Sequence, residues 1–132
     1  MRSITLPPVG LALALALSLG AGATVPLIAP IRGDGLAHLN EATRVGTLVV
    51  TPRVVLEDSR CPINARCVWA GRAIVRAQVD GGGWRETINL TLGERVTTHG
   101  TTLGLTSVEP GKLAGEQPRA PQAIRFGFEG GR

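Results

Sequence analysis

The chain has 132 residues, a formal net charge of +4 at pH 7 and 43% hydrophobic residues. This length fits one domain with one modest core. The 14 Lys and Arg residues are scattered, and two Trp, two Phe and no Tyr accompany them. A nucleic-acid-binding surface would cluster its cations and interleave aromatic residues, so we expect no nucleic-acid partner.

Residues 1–23 have the pattern of a secretory signal peptide. Arg2 precedes an apolar run over residues 9–19, and the small residues 20–23 follow, with Ala21 and Ala23 in an A-x-A arrangement. At about 1.5 Å per residue this run is too short for a hydrocarbon core of about 30 Å, so an uncleaved anchor is the weaker alternative. The pattern predicts export to the periplasm or the extracellular space, cleavage after Ala23 and no transmembrane anchor in the mature chain.

The mature chain begins with a Pro- and Gly-rich segment, residues 24–35, which predicts an extended lead-in. A single β domain is expected over residues 36–129, with residues 130–132 as a frayed tail. Its first strand is short, residues 36–39, and a turn follows at residues 40–43.

The second strand is predicted over residues 47–57. Its alternation places four apolar side chains on one face, namely Leu48, Val50, Val54 and Leu56. Pro52 interrupts the run. Because proline cannot donate to a ladder, it indicates an edge strand, a bulge or two short strands.

A hairpin is predicted over residues 67–92. Residues 67–80 alternate, with an apolar face that begins at Cys67, Trp69 and Gly71 and ends at Val79. Residues 80–83, Asp-Gly-Gly-Gly, favour a tight β turn. The return strand, residues 84–92, points Trp84, Ile88, Leu90 and Leu92 to one side.

Three further strands are predicted over residues 95–98, 101–108 and 122–129. The last of them alternates Ile124, Phe126 and Phe128 with small or charged residues. Six to eight short strands with no convincing amphipathic helix predict an all-β fold. An antiparallel β-sandwich and a small barrel both remain open.

The unusual residues concentrate in residues 57–71, which contain both cysteines. Cys61 and Cys67 predict a structural disulfide in an exported chain, and closing this small loop contributes about 2 kcal/mol to stability. A redox site would favour C-x-x-C, and a zinc site would need more ligands than the remote His38 and His99 supply. We therefore expect no metal and no cofactor, with a redox or metal role as the weaker alternative.

The residues around the cysteines predict a structural corner. Asp58 is expected to accept backbone N–H bonds or to pair with Arg60 or Arg66. Trp69 is expected in the core against the disulfide, with ligand stacking as the alternative. Gly71 indicates a bulge or a close backbone approach.

No catalytic residue is predicted. Glu57 and Asp58 are adjacent, but neighbouring side chains of a strand point to opposite faces and do not easily converge. The only serines of the mature chain are Ser59 and Ser107, and neither lies in a G-x-S-x-G turn.

The pattern E-D-S-R-C-P, a short spacer, C-V-W-A-G and then an alternating strand resembles a group of small exported bacterial proteins. Several members of that group have lipoprotein signals, whereas this chain lacks the lipid-accepting cysteine. The resemblance implies an exported, disulfide-bonded β protein and implies no particular activity.

Three functions are compatible with these observations. The leading hypothesis is a non-enzymatic, monomeric binding module that meets an envelope partner. The second is an inhibitor or recognition module that presents the loop between the cysteines, namely Pro62, Ile63, Asn64, Ala65 and Arg66. The third is a small carboxylate-based enzyme or metal-binding protein built on Glu57, Asp58 and Ser59.

Overall fold

The computed structural model describes residues 30–132 without a gap and, before them, only residues 3–5, 8, 10, 20 and 22. The expected signal peptide and the start of the lead-in therefore lie outside the described residues, apart from those isolated positions. No helix within the described part of the chain is long and apolar enough to cross a membrane.

Eight strands build the domain. In chain order they are β1 Leu36–Ala37, β2 Thr43–Val45, β3 Leu48–Asp58, β4 Ala73–Asp80, β5 Arg85–Thr91, β6 Arg95–Thr98, β7 Thr101–Glu109 and β8 Arg125–Gly130. They form two four-stranded antiparallel sheets, ordered β2-β3-β4-β5 and β1-β8-β7-β6. The all-β prediction is confirmed, and of the two open architectures the fold is the sandwich.

The core lies where the alternating faces of the two sheets meet. The first sheet buries Val50, Val75, Ala77, Val79 and Leu90, and the second buries Leu103, Leu105, Phe126 and Phe128. The predicted hairpin is present as β4 and β5, with Asp80 paired to Arg85 across the glycine turn. Trp84, just before β5, packs against the core and stacks on His99 with 3.9 Å between ring centroids.

The single apolar face predicted for β3 is wrong beyond Pro52. The pairing with β4 shifts between Pro52 and Val54, and Val55 then packs against the core. Val54 is 47% exposed and Leu56 is 41% exposed, although both were predicted on the same face as the buried Leu48 and Val50. A bulge adds one residue to one strand and exchanges its two faces, so Val55 rather than Val54 pairs with the buried Val75. A second shift, between Val55 and Glu57, exchanges the faces back, and Asp58 pairs with the buried Ala73.

Pro52 itself is fully buried and lies beyond the residues of β3 that pair with β2. β2 pairs only with the start of β3, as far as Val50. The Pro52 carbonyl accepts a hydrogen bond from the Asn40 amide, 2.7 Å, on the side away from β4. Its missing N–H therefore breaks no ladder bond.

The frayed tail expected over residues 130–132 is wrong for its first two residues, Gly130 and Gly131. Gly130 belongs to β8, and the Gly131 amide donates to the Thr102 carbonyl, 2.8 Å. The Gly131 carbonyl in turn accepts from the Thr47 amide, 3.0 Å. Because β8 lies inside its sheet, between β1 and β7, neighbouring backbone groups remain in reach of the chain end.

Candidate functional site

The segment that connects β3 to β4, residues 59–72, is called the tip loop below. Cys61 and Cys67 form the predicted disulfide within it, with 5.9 Å between their Cα atoms. At the base of the loop the Ser59 amide donates to the Arg72 carbonyl, 2.8 Å, and the Cys61 amide donates to the Ala70 carbonyl, 3.2 Å. The tip loop is therefore closed twice, by backbone hydrogen bonds and by a covalent bond.

Gly71 makes this closure sterically possible. Its φ of +68° lies in the left-handed region, and a Cβ at this position would overlap the Ser59 carbonyl oxygen. A residue with a side chain would be strained by the backbone conformation and would also push the two sides of the loop apart. Of the two sequence interpretations, the close backbone approach describes this glycine.

The corner below the loop is an ion pair that joins the two sheets. The Arg60 guanidinium donates to both Asp58 carboxylate oxygens, at 2.7 and 3.0 Å, and to the Val108 carbonyl of β7, at 2.6 Å. Both side chains are mostly buried, 14% exposed for Arg60 and 20% for Asp58. Asp58 thus pairs with Arg60, and Arg66 is exposed.

The charge of this corner is fixed by its hydrogen bonds. The bonds from Arg60 hold the pKa of Asp58 below its ordinary value, against the opposing effect of burial, and the Lys112 charge acts in the same direction as Arg60. The Lys112 ammonium also donates to the Asp58 backbone carbonyl, 2.8 Å. Asp58 is therefore ionised at neutral pH and has two cations beside it.

Glu57 and Asp58 bind different arginines. The Glu57 carboxylate accepts from the Arg72 guanidinium, 2.6 Å, whereas Asp58 accepts from Arg60. The Ser59 hydroxyl donates to Glu57, 3.2 Å, and accepts from the Arg72 amide, 3.0 Å. The two carboxylates do not converge on one point, as strand parity predicted.

The core position predicted for Trp69 is wrong. The Trp69 side chain is 82% exposed and Val68 is 93% exposed. The prediction extended the alternation of β4 back to Cys67, but the strand begins at Ala73. Inward and outward alternation holds only within a paired strand, and the tip loop leaves the sheet before that point.

The loop between the cysteines is exposed and yet anchored. Ile63 is 76% exposed, and its amide donates to the Lys112 carbonyl, 2.9 Å. The Asn64 side chain accepts from the Ala114 amide, 2.7 Å, and its amide group donates to the Ala114 carbonyl, 3.4 Å. Pro62 is half-buried, whereas Ala65 and Arg66 are exposed. The residues predicted as a recognition loop thus face solvent on a fixed backbone.

Beside the corner lies a cleft of about 230 Å³, called the corner cleft below. It is lined by Val55 of β3, by Ile124 and by four apolar residues of the β7–β8 connection, namely Pro110, Leu113, Pro118 and Pro121. The charged side chains that line it are Asp58, Arg60, Lys112, Glu116 and Arg119. Sequence inspection missed Lys112 and the cleft because their partners lie about 50 residues away, as Asp58 lies 54 positions from Lys112.

In the part of the chain that the structure describes, no three His, Cys, Asp or Glu side chains lie close enough together to bind a metal ion. The fold and the corner define a small β-sandwich whose disulfide-closed tip loop exposes Ile63, Val68 and Trp69. Comparison of the chain with protein-family models, with curated proteins and with solved structures found no match.

Proposed function

We propose that this protein is an exported, non-enzymatic binding module that contacts a protein of the cell envelope through its tip loop. The observation that carries the proposal is the exposure of Ile63, Val68 and Trp69 on a loop with a fixed backbone. All three belong to one short loop, and exposed apolar patches are typical of interaction sites. Tryptophan is also enriched among the residues that dominate binding energy.

The way the loop is held supports this function. The disulfide and the hydrogen bonds to Lys112 and Ala114 order the backbone before any partner arrives. Binding then avoids the cost of ordering the loop, and only side chains lose freedom. A single tryptophan seated in a partner pocket contributes at least about 2 kcal/mol in such interfaces.

Export is supported by two features. The disulfide requires an oxidising compartment to persist, and residues 1–23 have the signal-peptide pattern. Expression of the full chain in a bacterium, followed by mass spectrometry of the secreted or periplasmic form, tests this part. We expect a mature N-terminus near Thr24, and a full-length cytoplasmic product would contradict export.

The tip loop is tested by comparing captured proteins between variants. Purified mature protein is crosslinked to envelope extract, and the bound proteins are compared for the wild type, Trp69→Ala and Val54→Ala. Val54 is a matched control, since it is an exposed apolar residue on β3, outside the tip loop. We expect a protein that the wild type and Val54→Ala retain and that Trp69→Ala loses. Equal retention by all three proteins would contradict the proposal.

A further inference from the structure

We propose that the corner cleft binds a small monocarboxylate with an apolar body. The Lys112 ammonium group of the cleft binds the carboxylate of this ligand. The proposal concerns a site separate from the exposed face of the tip loop. It follows from the charge of the cleft, from the unused hydrogen-bonding capacity of Lys112 and from the apolar walls.

The charge of the cleft favours an anion. Three cationic side chains and two carboxylates line it, so the lining is net positive. Arg60 and Asp58 neutralise each other within their ion pair. At the rim, Glu116 and Arg119 lie 3.9 Å apart with side chains 55% and 51% exposed. The remaining charge is that of Lys112.

Lys112 has donors left for a ligand. Its ammonium group carries three N–H bonds, and one of them goes to the Asp58 carbonyl, 2.8 Å. Among the described residues no carboxylate lies within salt-bridge distance of it. Lys112 is half-buried and is therefore less screened by water than a surface lysine. An incoming carboxylate would supply the missing counter-charge.

The rest of the ligand is defined by the walls. Val55, Leu113, Ile124 and three prolines line the cleft, and Gln117 is the uncharged polar side chain of the lining. The apolar side chains offer contact but no hydrogen-bonding groups, so a polar or doubly charged body packed against them would lose hydration without compensation. The volume of about 230 Å³ restricts the ligand to a small molecule. A short-chain fatty acid has the required shape and charge.

To test the proposal, the ¹⁵N-labelled mature protein is titrated with hexanoate and separately with 1-hexanol, and the amide chemical shifts are followed by NMR. Hexanol retains the apolar body and lacks the charge. We expect saturable shifts of the Lys112, Leu113 and Ile124 amides with hexanoate, and affinity for hexanol lower by about tenfold or more. Absence of saturable shifts, or equal affinity for the two compounds, would overturn the proposal without any mutation.

Two variants then test whether the positive charge that binds the carboxylate is that of Lys112. Lys112→Met retains the length of the side chain, and we expect it to lower hexanoate affinity by about tenfold. Arg44→Met removes one positive charge from β2, outside the cleft, and we expect no change. An unchanged affinity in Lys112→Met, with its dispersed spectrum intact, would show that the anion is held elsewhere. Trp69→Ala is expected to bind hexanoate like the wild type, so this proposal and that for the tip loop can fail separately.

Discussion

Arg60 donates two hydrogen bonds, 2.7 and 3.0 Å, to the carboxylate of Asp58, where β3 ends and the tip loop begins. The same guanidinium reaches the Val108 carbonyl in the opposite sheet, 2.6 Å. One side chain thus satisfies a mostly buried anion and closes one end of the sandwich. The tip loop and the corner cleft are both built on this contact.

The ion pair is expected to contribute measurably to stability. Arg60→Met leaves the Asp58 carboxylate and the Val108 carbonyl without their donor, and we expect a loss of about 2 kcal/mol in the free energy of unfolding. Urea titration followed by circular dichroism measures the loss. Arg72→Met is the control, because its ion pair with Glu57 is 62% and 36% exposed and should contribute about 0–1 kcal/mol. Equal losses would mean that burial of the Asp58 pair adds nothing.

Stability should also depend on acid through Asp58. Arg60 lowers the folded-state pKa of Asp58 below the unfolded value of about 3.9. A lowered pKa contributes stability that is complete well above the unfolded value and is lost as the pH falls through the folded value. We expect the free energy of unfolding to decrease below about pH 5 in the wild type and to change less in Asp58→Asn. In Asp34→Asn, which removes a solvent-exposed carboxylate, the acid dependence should remain close to that of the wild type.

The close approach at Gly71 predicts a severe effect from a small substitution. Gly71→Ala adds a methyl group that overlaps the Ser59 carbonyl oxygen, and we expect a loss of about 3 kcal/mol. Gly100→Ala is the matched control, since its φ of +73° is similar and the space around it is open. That variant should lose only the cost of the left-handed conformation, about 1–2 kcal/mol. Thermal unfolding of the two variants side by side would contradict the steric explanation if the midpoints coincide.

Trp69 is expected to be dispensable for folding. Because its side chain is 82% exposed, Trp69→Ala should change the free energy of unfolding by at most about 0.5 kcal/mol. Phe126→Ala removes a buried aromatic and should cost about 3–5 kcal/mol. Chemical denaturation of both variants distinguishes a binding residue from a core residue. A loss in Trp69→Ala that approaches that of Phe126→Ala would place the indole against the domain.

Much of the sandwich could be predicted because its signals are local. The alternation of Ala73, Val75, Ala77 and Val79 and the glycine turn after Asp80 specify a hairpin whatever surrounds it. The disulfide was predictable for the same reason, since its cysteines lie six residues apart. Strand rhythm failed at the bulge after Pro52 and in the tip loop, where Trp69 was assigned a face of a strand that does not extend that far.

Seven of the eight strands, the glycine turn after Asp80 and the cysteine pair could be predicted, because side-chain alternation, backbone φ preference and short loops depend on neighbouring residues. The short β2, Thr43–Val45, was missed, and packing of the sheets was needed to show which way Val55 and Trp69 point and where Lys112 lies. The bulge in β3 is defined by its pairing with β4, so the direction of Val55 cannot be read from β3 alone. The Asp58–Lys112 contact spans 54 positions and exists only once the two sheets are packed together. The exposed side chains of the tip loop and the lining of the corner cleft, on which both functional proposals rest, likewise depend on the tertiary structure.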